Sequence, residues 1–294
     1  MVLCCAARAA RAARRGACSS SLRARARAAA APAAARARPP PEPTLRARLL
    51  SLEPTSPPLR ACLVMSGSAV ATELLALAGF DALVLDSEHG ACGSPEALGG
   101  LLRAARAGGA AALVRVPAPG DLAAIGRALD LGADGVVVPM VHSAQQARSV
   151  AAACAYPPLG TRGAAHPLVR ASAYGLDAGY LAEARARALV LVQVESASAD
   201  AGAVAQVDGV DGVFVGPLDL AASVGRAAEP AHPQAVEARR RVEEAVRATG
   251  KALTGFAAPG DSAAAMGDRG YALVADAVDL ALLRDAAVER LGRA

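Results

Sequence analysis

Eight short aliphatic runs, helical segments between them, and a length of about 240 residues for the whole series predict a closed (β/α)8 barrel. The runs are ACLVM (61–65), ALVLD (82–86), AALVRV (111–116), GVVVP (135–139), LVLVQVE (189–195), GVFVG (212–216), ALTGF (252–256) and YALVA (271–275). Each is too short for a buried helix, rich in aliphatic residues and bounded by Gly, Asp or Pro. Each therefore reads as a strand buried on both faces. Helical periodicity lies between them, over 96–107, 122–131, 144–155, 233–249 and 280–291. Several of these segments end in glycine, as in ARAGG and RATGK, which supplies a left-handed C-cap. Strand-helix alternation requires right-handed parallel crossovers. A doubly wound open sheet is the alternative arrangement. The longest irregular stretch, YPPLGTRGAAHPLVRASAYG, lies beyond the fourth run and is long enough to be a functional loop.

Ahead of the first run stands an Ala/Arg-rich segment of different character. Residues 1–48 hold 11 of the 31 basic residues and one acid, Glu42. The rest of the chain carries 20 basic and 26 acidic residues, a net of −6, so the overall +4 belongs to the leader. A nucleic-acid surface on the folded part is not implied. Arg8, Arg11, Arg14 and Arg15 recur at helical spacing among alanines, with serines following. This is the composition of an organelle transit peptide, mitochondrial or plastid, with a disordered basic arm as the plainer alternative. The expected division is a leader over 1–45 and a barrel over 46–294, with cleavage between Arg36 and Leu49. No uncharged apolar run reaches the ~18–20 residues of a membrane span. Cys62, Cys92 and Cys154 are far apart and form no C-x-x-C pair, so neither a disulfide framework nor a zinc knuckle is expected.

The ionisable residues gather at the ends of the runs. Asp86, Glu88 and His89 close the second, in DSEHG; Arg115 stands near the end of the third. Gln193 and Glu195 end the fifth, and Gly216, Pro217 and Asp219 follow the sixth. In a parallel barrel all these ends open on one rim, where barrel enzymes place their chemistry. Charge is costly within a buried strand but not beside a water-filled mouth. Glu195 and Asp219 are hard oxygen donors suited, with waters and substrate oxygens, to Mg²⁺ or Mn²⁺. His89 beside Asp86 makes an oriented base near neutral pH. Arg115 offers a planar fork to a carboxylate or an enolate oxygen. Taken singly, Asp86 and Asp219 could equally cap the next helix. The chain has a single lysine, Lys251, immediately before the seventh run and so at the opposite rim. A Schiff-base aldolase needs its lysine at the catalytic rim, which disfavours that mechanism here.

The segments VLDSEHG, LVRVP, GVVVPMV, GTRG, LVQVES and GVFVGPLDLAASVG occur in this order between Leu59 and Leu291. Together they resemble the HpcH/HpaI aldolase family, the class II metal-dependent pyruvate aldolases. The resemblance implies a barrel whose last helix packs on a neighbouring subunit, often within a hexamer. It implies a divalent metal (Mg²⁺, Mn²⁺ or Co²⁺) and reversible cleavage of a 4-hydroxy-2-oxo acid to pyruvate, or a related 2-oxo acid, and an aldehyde. By motif position His89 would be the base, with Asp86 orienting it, and Arg115 would bind pyruvate and stabilise its enolate. Glu195 and Asp219 would hold the metal. Gln193, Gly216, Pro217 and the backbone near Leu218 would contact the substrate. Asp130 matches an acid that the family places near the histidine. Where the family usually has a Pro-Asn pair after the histidine, this chain reads Gly90-Ala91-Cys92-Gly93. Two other functions stand beside the aldolase: a CoA-ester lyase of the citrate-lyase type, and a catalytically silent barrel serving as a binding or assembly module.

Overall fold

The computed structural model of the protein describes residues 43–293. The expected leader lies, up to position 42, outside the described residues. Eight parallel strands close into a barrel in sequence order. They are β1 (Leu59–Val64), β2 (Ala82–Asp86), β3 (Ala111–Arg115), β4 (Gly135–Val138), β5 (Leu189–Val194), β6 (Gly212–Val215), β7 (Ala252–Phe256) and β8 (Tyr271–Val278). All eight expected strands are present. β8 runs past its expected end because, beyond a register shift, Ala277 and Val278 still pair with Cys62 and Leu63 of β1. That last pairing closes the barrel and rules out the open sheet.

The helices named from periodicity are α3 (Pro95–Gly108), α4 (Leu122–Asp130), α5 (Ala144–Cys154), α9 (Pro233–Arg247) and α11 (Asp279–Arg290). Those not foreseen are α1 (Leu45–Leu50), α2 (Ala69–Leu77), α6 (Tyr180–Arg187), α7 (Ala201–Ala205), α8 (Pro217–Ser223) and α10 (Ala263–Asp268). These six span two or three turns at most, too short for a 3.6-residue period to register. The ends carry ordinary signals: Ser94 and Asp121 cap α3 and α4 through their side chains, and Gly109 ends α3 at φ 90°.

Two cores follow from the period of two along each strand. Residues facing outward, such as Val190, Val192 and Val194, pack beneath the helices. Those facing inward fill the barrel itself: Ala82 and Val84, Leu113, Leu189 and Leu191, Phe214, Leu273. Leu45 and Leu49 of α1 join this inner core. Thr44 caps α1, and Arg46 bonds Asp211 through Nε (3.1 Å) and Nη2 (2.9 Å). Asp211 immediately precedes β6, so α1 plugs the end of the barrel at which the strands begin.

The long irregular stretch leaves from α5 and leads to α6. It is therefore a helix-to-strand connection, not part of the rim at the strand C-termini. It lies along α4, where Arg162 Nη2 meets Asp130 Oδ1 at 2.6 Å and Arg170 Nη1 meets the Leu131 carbonyl at 2.6 Å.

Candidate active site

The inward register carries the polar residues to the mouth. On β2 it runs Ala82, Val84, Asp86; on β3, Leu113, Arg115; on β5, Leu189, Leu191, Gln193. Asp86 and Arg115 are partners across the β2–β3 ladder. Asp86 has no exposed surface and accepts from both Nε and Nη2 of Arg115 at 2.9 Å. Its Oδ1 also accepts from the backbone N–H groups of Glu88 (3.0 Å) and His89 (3.3 Å). Asp86 caps no helix: α3 begins on Ser94.

This corrects one expected role. Asp86 holds the backbone of His89, not its ring. The imidazole is 62% exposed and its Nε2 stands 3.7 Å from Glu88 Oε1. Glu88, absent from the expected site set, is the acid beside the ring. Its Oε2 also lies 3.2 Å from Arg115 Nη1, a charge contact without hydrogen-bond alignment. Burial pushes the Glu88 carboxyl up; Arg115 and His89 oppose this, while Asp86 and Asp219 reinforce it. The residue stood in plain sight within DSEHG, but strand alternation places positions 86 and 88 outside one register, because the strand ends between them.

Arg115 is 6% exposed, and its guanidinium lies 5.6 Å from the centre of the Phe256 ring. Burial disfavours its charge, but the Asp86 bond and the Asp86, Glu88 and Glu195 carboxylates more than restore it. Its Nε and one Nη2 hydrogen are committed to Asp86, so the N–H groups left for a ligand lie on the outer edge of the fork.

Glu195 follows β5 and is 2% exposed. Its Oε1 accepts from the Met140 backbone N–H at 2.6 Å and its Oε2 from Gln193 Nε2. Burial pushes the carboxyl up to about 7, and the charges of Asp219 and Glu88 add to the rise. A Cβ on Gly216 would fall 2.8 Å from Glu195 Oε2, so only glycine leaves that oxygen room. Asp219 sits exposed in the first turn of α8 and does not cap it. Pro217 is buried at the start of the same turn, and the Leu218 side chain is 55% exposed.

These residues fit a divalent cation. Glu195 and Asp219 are near enough for the Asp219 charge to raise the Glu195 carboxyl, and the Oε1 of Gln193 is buried without a partner. Among the described residues no three His, Cys, Asp or Glu side chains are grouped around one point. A closed protein cage is therefore absent, and two carboxylates with open positions match an octahedral ion that keeps waters or substrate oxygens.

Asp130 is a second correction. It ends α4 and pairs with Arg162, in a cavity of about 710 Å³ along the outer side of α4 that Arg103, Arg127, Arg170 and Tyr174 also line. Within this chain it does not stand beside His89. Lys251 donates to the Val210 carbonyl at 2.6 Å, at the end of the barrel where β6 and β7 begin. Cys92 is fully buried, donates to the Val64 carbonyl, and burial pushes its thiol up to about 11, which removes it as a nucleophile.

Residues 61–286 match the model of the HpcH/HpaI aldolase/citrate lyase family. The chain belongs to that family. A hydroxypyruvate/pyruvate aldolase of Pseudomonas aeruginosa is 41% identical over 223 residues, 75% of this chain and 82% of that protein. A 4-hydroxy-2-oxovalerate aldolase of Rhodococcus jostii is 42% identical over 192 residues, 63% of this chain and 72% of that protein. The crystal structure of an HpcH/HpaI family protein from Burkholderia cenocepacia superposes with a TM-score of 0.77 at 36% identity, covering 84% of this chain and 97% of the other. In this HpcH/HpaI family member, DSEHG thus forms a turn that Asp86 holds to Arg115 and that presents Glu88 and His89 at the mouth.

Proposed function

We propose that this protein is a divalent-metal-dependent aldolase, a carbon–carbon lyase that reversibly cleaves a 4-hydroxy-2-oxo acid to pyruvate, or a related 2-oxo acid, and an aldehyde. One observation carries the reading. A buried arginine locked by Asp86 shares a mouth with two carboxylates, Glu195 and Asp219, whose oxygens suit a divalent cation. Glu195 and Asp219 would hold Mg²⁺, Mn²⁺ or Co²⁺, which when bound stabilises enolate charge on the 2-oxo acid. The outer edge of the Arg115 fork binds the substrate's oxygens and counters the same charge. His89, exposed and set against Glu88, exchanges the proton with solvent water. Gln193 and the Gly216–Leu218 turn complete the 2-oxo acid site, where a side chain at Gly216 would leave no room. Of the site residues described, only Arg115 and His89 can be cationic, which favours a small carboxylate over the phosphates of a CoA ester.

The test is exchange of pyruvate methyl protons with deuterated water. Exchange that needs Mg²⁺, Mn²⁺ or Co²⁺ and disappears in His89→Ala supports the aldolase. No exchange with any of the three ions supports a silent barrel, and rapid cleavage of malyl-CoA supports the CoA-ester lyase.

The assembly is proposed to be a homo-oligomer, a hexamer by family resemblance. On α11 only Asp279 is buried, while Leu280, Leu282 and Leu283 are exposed. On α2, Val70, Leu74 and Leu77 are 66–79% exposed. These exposed apolar residues support an assembly that covers them, and light scattering of the purified chain measures its stoichiometry. The leader is proposed to direct the protein to a mitochondrion or plastid. Cleavage ahead of Thr44 would preserve the cap of α1.

A further inference from the structure

The fourth strand ends at Val138, and Pro139 follows with no N–H to offer. Met140 then turns into the left-handed region at φ 53°, which a residue with a side chain rarely enters. The other described non-glycine residues with positive φ, Ala173, Tyr174 and Ala228, are not in the site. Packing does not account for Met140, because its side chain is 43% exposed. Its backbone does. The Met140 N–H reaches Glu195 Oε1 at 2.6 Å, and the next N–H, of Val141, reaches the Gln193 carbonyl at 3.1 Å. The turn after β4 is thus stitched to β5 twice, once to the strand's backbone and once to a carboxylate of the mouth.

We propose that Met140 is a positioning residue of the cation site: its left-handed backbone aims the N–H that orients Glu195. Strain kept at a functional site signals that the surrounding structure uses the conformation. Here the use is orientation of a carboxylate between two donors, Met140 N–H and Gln193 Nε2, so that it meets an ion without rearranging. The proposal rests on Glu195 being a metal ligand, as proposed above.

Glycine adopts φ 53° without cost, whereas a β-branched residue resists it. Mn²⁺ titration of the full chain, followed by the electron paramagnetic resonance of the free ion, compares wild type, Glu195→Gln, Met140→Gly, Met140→Ala and Met140→Ile. Circular dichroism and Tm are recorded for each. Met140→Gly is expected to bind Mn²⁺ at least as tightly as wild type with no lower Tm. Met140→Ile is expected to bind about tenfold more weakly, as when a metal ligand loses its support, with Met140→Ala between them. Wild-type affinity in Met140→Ile overturns the proposal. So does a loss in Met140→Gly as large as in Met140→Ala, because the side chain would then be the acting part. The glycine and alanine arms decide the matter if the isoleucine variant does not fold. Equal Mn²⁺ binding by wild type and Glu195→Gln removes the metal role of Glu195, and the proposal falls with it.

Discussion

Arg115 and Asp86 show how much one residue pair carries. The guanidinium and carboxylate satisfy each other where Asp86 is fully buried and Arg115 nearly so, and Asp86 also holds the turn that presents Glu88 and His89. Removing one partner strands the other. Arg115→Met is expected to destabilise the fold by about 3–5 kcal/mol, the usual cost of an uncompensated buried charge. Urea denaturation measures it, and Asp86→Asn added to Arg115→Met should recover part of the loss. The three cysteines of the described chain give a second prediction. Burial pushes Cys62 and Cys154 up to about 12 and Cys92 up to about 11. A chain beginning at residue 43 should therefore resist a disulfide reagent at pH 8 until it is unfolded. Because the folded values lie above the unfolded one, the stability tied to these thiols is complete below pH 9. It is lost as pH rises through about 11–12, and a Tm series from pH 8 upward should show the decline. The roles proposed for Arg115, Glu195 and Asp219 follow from their positions at strand ends. Which half of His89 Asp86 holds is not legible in the sequence, because an Asx turn and a ring contact are alike there.

At the scale of elements, α1 and α11 are the informative ones. α1 is short, yet it buries Leu45 and Leu49 in the inner core and pairs Arg46 with Asp211. Deleting residues up to 51 should cost about 3–6 kcal/mol from the two leucines alone. Urea titration of that truncation against the full chain checks this. No periodicity announces α1, since two buried positions in six residues fit many patterns. All eight strands, by contrast, were legible, because a strand buried on both faces must be continuously apolar, and few other elements are both apolar and that short. The long stretch after α5 was legible as a loop, but not its side of the barrel, which follows from the helix before it.

For the whole molecule, closure of the sheet assembles the site. Glu88, Glu195 and Asp219 come from three different strand ends; burial pushes the Glu88 and Glu195 carboxyls up, and the Asp219 charge adds to both rises. A cation that relieves this repulsion binds the folded state only and stabilises it by mass action. Adding Mn²⁺ should raise the Tm of wild type but not of Glu195→Gln, and a chelator should reverse the effect; differential scanning calorimetry reads both.

Sequence by itself determined the barrel, the family, the place of Lys251 at the end where the strands begin, and which ionisable residues stand at the strand ends. Each of these depends on periodicity and chain order, which are written along the chain. Tertiary structure alone decided that Glu88 accompanies His89, that Asp130 pairs with Arg162, and that a strained Met140 supports Glu195. Those facts depend on which side chains and N–H groups meet across separate strands and helices, and such distances exist only once the barrel has closed.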